Sequence, residues 1–272
     1  MDSIVQDLST TAVVAALEAN MVAFWAGYGR APGAEFHEGE DLLRVITGVS
    51  EALFNGVFRT RLSPDGVDGA IAETLARVSS RRIPMFWWVG PSTRPADLGT
   101  HLERHGFTHA GNSPAMAVDL RTLPEQLSRI PGLVVKPVED LEVLRRWARV
   151  AAIGTGFPER FHDELVALEV GVGLEQRGRL YTRYIAYQDG AAVGTSASLL
   201  HAGVAGIFAV ATIPRARRRG IGTALTLVPL LEARRRGYRV GTLQSSPMGF
   251  PVYQRLGFRE VSRPIEMYLW SP

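Results

Sequence analysis

Two short runs hold the residue types that could carry out a reaction. Residues 213–225 read IPRARRRGIGTAL and residues 253–258 read YQRLGF. The first follows an apolar, strand-like stretch and opens an apolar helical one. Backbone N–H groups gathered at the positive end of a helix make an anion site. Gly220 and Gly222 let a bulky phosphate approach the backbone, and Arg217, Arg218 and Arg219 add charge. The pattern suits a pyrophosphate. Its spacing is neither the G-x-G-x-x-G of dinucleotide sites nor the G-x-x-x-x-G-K-[ST] of P-loops, and it lacks the P-loop lysine and serine. Tyr253 in the second run carries a phenol with an ordinary pKa of about 10, so it is protonated at neutral pH and can act as a general acid. Packing at a helix start is the alternative role for that ring.

R-x-x-G-x-G after a strand, followed some 30 residues later by Y-x-x-x-G-F, resembles the Gcn5-related N-acetyltransferase (GNAT) family. The resemblance covers about 133–270 and is strongest over 206–258. It implies acetyl-CoA as co-substrate and an acetyl group moved directly to a primary amine of a small molecule or peptide. Val210, Ala211 and Thr212, ending the strand before the motif, would meet the pantetheine arm and the thioester carbonyl. The loop from Arg217 through Arg218, Arg219, Gly220, Ile221 and Gly222 to Thr223 would hold the pyrophosphate. Tyr253 matches the family tyrosine that protonates the leaving thiolate. Ser246 stands where many members carry an asparagine that touches the pantetheine. The resemblance also implies that the next strand splays away, and that residues 154–162 (GTGFPERFH) shape acceptor choice, with Phe157 as an apolar contact and Glu159 facing an ammonium. His201, Glu159, His162 and a water relay through Ser245 are candidates for the base. None is favoured, because the strand over 206–212 holds no carboxylate. His201 also stands with Phe157 and Glu159 as a candidate substrate contact.

These residues need a sheet and helices to position them. Strands are expected over 180–187, 192–200 and 206–212, with Asp189-Gly190 as a hairpin turn between the first two. A helix over 222–236, ended by Gly237, a strand over 238–244, a short helix at Tyr253 and a strand over 265–270 follow. Pro229 inside the long helix predicts a kink near Leu225.

The same order recurs in the first half over 56–62, 67–81, 84–89, 95–105 and 115–120. Asn55-Gly56-Val57-Phe58 resembles Ala205-Gly206-Ile207-Phe208, and Gly106-Phe107 resembles Gly257-Phe258, at offsets of about 150 residues. The expected fold is therefore α/β in the α+β sense: two GNAT-like mixed sheets in tandem, each largely antiparallel and flanked by helices. The expected units are 1–125, a linker at 126–132 marked by nearby prolines, and 133–272. Where the second unit has its arginines, the first reads SPDGVDGAIAE, with Asp65 and Asp68 set to repel a phosphate. Leu102 falls where Tyr253 would be. The first unit is expected to have lost the coenzyme and to complete a wall of the acceptor pocket. Trp87 and Trp88 point to opposite faces and suit core packing.

Composition bounds the rest. The 272 residues are 46% apolar and 21% charged, which suits a globular chain with an ample core. Without cysteine there is no thiol nucleophile, thiolate metal site or redox pair, so no metal is expected and direct transfer is the simplest route. Lys136 is the only lysine, and the arginines cluster at 215–219 and 234–239. A formal net charge of +3 argues against nucleic acid as the partner. No run of about 18 uninterrupted apolar residues occurs, and the N-terminus lacks a basic n-region, so neither a membrane span nor a signal peptide is expected. A cytoplasmic monomer or homodimer is the expectation. The alternatives are a GNAT-fold enzyme using another acyl-CoA or a non-amine acceptor, and a non-catalytic CoA-binding sensor.

Overall fold

A computed structural model describes residues 3–125, 129–174 and 180–272; residues 126–128 of the expected linker lie outside the described part. The first half runs α1 (Thr10–Ala26), β1 (Glu35–Glu38), β2 (Leu42–Ile46), β3 (Asn55–Thr60), α2 (Val67–Ser79), β4 (Met85–Val89), α3 (Leu98–Arg104), β5 (Thr108–Ser113) and β6 (Ala115–Asp119). The second runs β7 (Leu133–Pro137), α4 (Leu141–Thr155), α5 (His162–Val172), β8 (Tyr181–Gln188), β9 (Ala191–His201), β10 (Val204–Thr212), α6 (Ile221–Arg235), β11 (Val240–Gln244), α7 (Phe250–Arg255), β12 (Arg259–Glu260) and β13 (Ile265–Trp270). The expected helices and strands are present with ends shifted by a few residues. The β1–β2 hairpin and the strands β5, β7 and β12 had no counterpart in the sequence reading.

The strands form two mixed sheets, ordered β1-β2-β3-β4-β13-β5 and β12-β6-β11-β10-β9-β8-β7. Each holds one parallel pair, β3 with β4 and β10 with β11; the other pairs are antiparallel. The two halves exchange their last strands. β6 lies between β11 and β12 in the second sheet, and β13 lies between β4 and β5 in the first. Sheet membership therefore does not follow the expected division at 126–132. The local pattern that predicts a strand says nothing about which sheet receives it.

The duplicated motifs occupy equivalent places. Gly56 pairs with Phe86 and Gly206 with Thr242, each within a parallel ladder of only two residue pairs. Gly106 and Gly257 both take left-handed backbone just after a short helix, where glycine carries no Cβ penalty. Asp189 and Gly190 turn the β8–β9 hairpin with positive φ at both positions, as the turn signal predicts.

Helix α1 packs between the sheets. Its Phe24 stacks on Phe208 at 3.9 Å, and the adjacent Trp25 stacks on Phe58 at 5.2 Å, so one helix reads the same position of both copies. The buried cluster around these rings draws Leu43 and Trp88 from one half and Leu144, Trp147 and Ile185 from the other. Trp87 points the other way, into a separate cluster with Phe107, as adjacent strand residues must. Residues Thr10–Arg30 are long and apolar enough to cross a membrane by length and composition, although 44% of their apolar 18-residue stretch is buried inside the protein. Between the halves, Glu169 accepts hydrogen bonds from Tyr28 and Arg183 in a fully buried network.

Candidate active site

The site begins where β10 and β11 part. They pair only at Ala205 with Gly241 and Gly206 with Thr242. Beyond that point β11 continues its ladder with β6 and β10 its ladder with β9, so a gap opens between residues 207–212 and 243–246. A β-bulge bends β10 there: three steps from Phe208 to Ala211 face two steps from Ala197 to Thr195. Ala209 takes φ +51°, and its carbonyl is held by the Thr195 hydroxyl at 3.0 Å. Nothing in the sequence marks this bulge, because alanine is not a residue that favours left-handed backbone.

The chain then makes a single turn (Pro214–Ala216) and enters the arginine-glycine loop. Arg218 (φ +62°) and Gly220 (φ +77°) are left-handed, the kind of turn that gathers N–H groups into an anion-binding concavity. Helix α6 starts without a side-chain cap. Its first ladder bond runs from the Ala224 N–H to the Gly220 carbonyl, which leaves the amides of Ile221, Gly222 and Thr223 outside the ladder. A Cβ at Gly222 would meet nothing within 4 Å. These features fit a pyrophosphate.

The three arginines divide the work. Arg217 is tied into the protein: Nε donates to the Thr212 carbonyl and Nη2 to the Gly154 carbonyl, both at 3.1 Å. It fixes the loop to the end of β10 and to α4. Arg218 and Arg219 are exposed and are the loop's cations toward solvent. Gly154 lies so close to β10 that a Cβ there would meet the Ala211 side chain at 2.9 Å and the Thr212 amide at 3.0 Å. The start of the acceptor segment thus touches the strand expected to meet the thioester.

Tyr253 sits on α7 with 7% of its surface exposed, its ring against Phe258. Burial pushes its phenol up to about 12, and a side-chain hydrogen bond with Thr226 opposes that rise. Thr226 in turn donates to the Gly222 carbonyl at 2.9 Å, so Tyr253 and the loop meet through one α6 residue. Thr226 was missed from the sequence, yet it lies four residues past Gly222 on the same helix face, which is a readable signal. Gly249 makes room for the ring, since a Cβ there would lie 2.7 Å from it.

Other expected residues fall variously. The Ser246 hydroxyl accepts from the Gly249 amide at 3.1 Å, which secures the entry to α7. Phe157 is half-buried beside Phe54, Glu159 is exposed, and His162 Nε2 lies 2.9 Å from the Phe157 carbonyl. Ser245 is buried, with its hydroxyl on the Ser246 carbonyl. His201 is not brought to the gap. It pairs opposite Val204, at the far end of β10 from Thr212, roughly 25 Å away along the strand.

The first half lacks the loop's chemistry. Asp68, in the first turn of α2, lies 2.8 Å from His101 Nδ1 and 3.1 Å from His105 Nε2, and those contacts hold its carboxyl below the usual range. Leu102 is fully buried. Among the described residues, no group of three or more His, Asp or Glu could hold a metal ion.

Residues 179–260 match a family model described as an acetyltransferase (GNAT) domain. Among solved structures, the chain resembles a GCN5-related N-acetyltransferase from Kribbella flavida, with TM-score 0.67 and 16% identity, over 98% of this chain and 97% of that one. It also resembles a tandem GNAT protein from the clavulanic acid biosynthesis pathway, with TM-score 0.60 and 15% identity, over 99% and 96% of the two chains. A GCN5-related N-acetyltransferase from Sphaerobacter thermophilus aligns with TM-score 0.58 and 16% identity, over 96% and 91%. At these identities the likeness is one of fold. A search of curated proteins finds no match.

Proposed function

Because residues 179–260 match a GNAT acetyltransferase domain model and the whole chain has the fold of a tandem GNAT protein, we propose that the second sheet moves an acetyl group from acetyl-CoA to a primary amine of a small molecule or peptide. The observation that carries this reading is the two-pair ladder between β10 and β11, with a gap flanked by an uncapped helix start and a buried tyrosine.

Acetyl-CoA supplies an activated acyl group as a thioester, and its transfer to an amine releases a thiolate. The amides of Ile221, Gly222 and Thr223, with Arg218 and Arg219, bind the pyrophosphate. Val210, Ala211 and Thr212 lie along the pantetheine, and a backbone N–H at the bulge faces the charge that develops on the carbonyl oxygen. Tyr253 keeps its proton well past neutral pH and gives it to the departing sulfur. The amine proton leaves to solvent at the open end of the gap, and one proton returns from solvent to Tyr253 before the next turnover. The first half acts as scaffold, with Asp65 and Asp68 excluding a second pyrophosphate.

Release of free thiol from acetyl-CoA across a panel of amines, amino acids, aminoglycosides and small peptides tests the reading. Thiol release that depends on an amine supports it. Acetyl-CoA bound in the first half of a co-crystal, with none in the second, contradicts it.

A further inference from the structure

The first sheet keeps the same split as the second, without the phosphate loop. β3 and β4 pair only at Gly56 with Phe86 and Val57 with Trp87. They part after that and are rejoined beyond β4, where the Arg94 amide donates to the Thr60 carbonyl and Arg61 bridges to Arg94. A cavity of about 270 Å³ lies along this split, walled by α1, β2, β3 and β4 and by Glu38 at the end of β1; among the described residues the second half contributes His201 to the lining. At that size it suits a metabolite of a few heavy atoms rather than a nucleotide.

Its walls are unfinished. The Trp88 indole N–H and the Arg59 Nε–H are both buried without a hydrogen-bond partner. A buried donor left unpaired is a deficit that native structures seldom tolerate. Arg61 adds a guanidinium, so three positions on the lining call for the oxygens of an anion. The opposite charge comes from Glu38, which is exposed, and from Glu18. The Glu18 carboxylate accepts from the Ser92 amide and hydroxyl at 3.1 and 3.2 Å and lies against Gly90, where a Cβ would be 2.5 Å away. Burial raises its pKa despite Arg61 and Arg263 nearby, so its charge is under-compensated. Met21, Leu43 and Phe58 give the cavity an apolar floor.

We propose that the split of the first sheet binds a small α-amino acid with an apolar side chain, its carboxylate taken by Trp88, Arg59 and Arg61 and its ammonium by Glu18. The site stands apart from the acyl-transfer gap, so it is independent of the proposed reaction.

Thermal unfolding of the full chain with L-alanine, L-valine, L-leucine and L-methionine tests it. Leucinamide lacks the carboxylate and 4-methylpentanoate lacks the ammonium; acetyl-CoA is the competing occupant. At least one amino acid should raise Tm by about 5 °C at a concentration a hundred times its Kd. Both truncated analogues should bind at least about ten-fold more weakly. Glu18→Gln and Trp88→Phe, each compared with its own unliganded melt, should lose binding by a similar factor. No stabilisation by any of the amino acids overturns the proposal, as does equal stabilisation by the analogues or an undiminished response in both variants. Acetyl-CoA protecting Gly222→Leu as fully as the parent protein would assign the first split to the coenzyme instead.

Discussion

The Ser196 hydroxyl on β9 donates to the Leu225 carbonyl on α6 at 2.8 Å. Leu225 is four residues before Pro229, so its carbonyl is the one that the missing proline N–H leaves without a helical donor. The strand beneath supplies what the helix lacks, and α6 runs through Pro229 from Ile221 to Arg235. Ser196→Ala should strand a buried carbonyl and cost about 1–3 kcal/mol in urea unfolding. Pro229→Ala restores the N–H, so in that background Ser196→Ala should cost much less. Equal costs in the two backgrounds would contradict this account.

Strand exchange makes each half depend on the other. Met267 of β13 lies opposite Trp88, and Met116 of β6 lies opposite Leu243. A fragment 133–272 would expose the edge of β11 and leave β13 without its neighbours, which invites aggregation. Fragments 1–125 and 133–272 expressed apart should lack cooperative melts, and expressed together they should co-purify with one. A cooperative, monomeric 133–272 would argue against an obligatory exchange.

At Gly222 the protein has room for a side chain and the proposed pyrophosphate does not. Gly222→Leu should move Tm by less than about 2 °C while raising the KM for acetyl-CoA at least about ten-fold. A large loss of stability would show that the glycine serves the fold instead.

Burial gives Tyr253 a folded pKa of about 12 against about 10 for an unfolded tyrosine. The folded state holds this proton more tightly, so the group's contribution is complete below pH 10 and is lost as pH rises toward 12. It amounts to about 2–3 kcal/mol. Tyr28 and Tyr184 are shifted the same way, so the test is the difference between parent and Tyr253→Phe. The variant should lose less stability between pH 10 and 12. Identical curves would place Tyr253 outside that window.

Much of this architecture can be read from local pattern. The repeated Gly-x-Phe, the Asp189-Gly190 turn and the strand–loop–helix order around Gly220 each rest on neighbours in sequence. The rest depends on contacts between distant residues. The bulge at Ala209 is held by Thr195, the proline helix is completed by Ser196, and Arg217 is spent on Thr212 and Gly154 rather than left for a phosphate. Asn20 on α1 donates to the Leu199 and His201 carbonyls and so ties α1 to β9. His201 looks catalytic by residue type, but strand register places it at the wrong end of its sheet.

The central claim is that Tyr253 donates the proton that releases the thiolate. Steady-state thiol release from acetyl-CoA with the best amine acceptor, compared between the parent protein and Tyr253→Phe, tests it most directly. The account predicts kcat lower by about 100-fold or more, with the KM for acetyl-CoA changed by less than about three-fold. Equal turnover by the two proteins would contradict it.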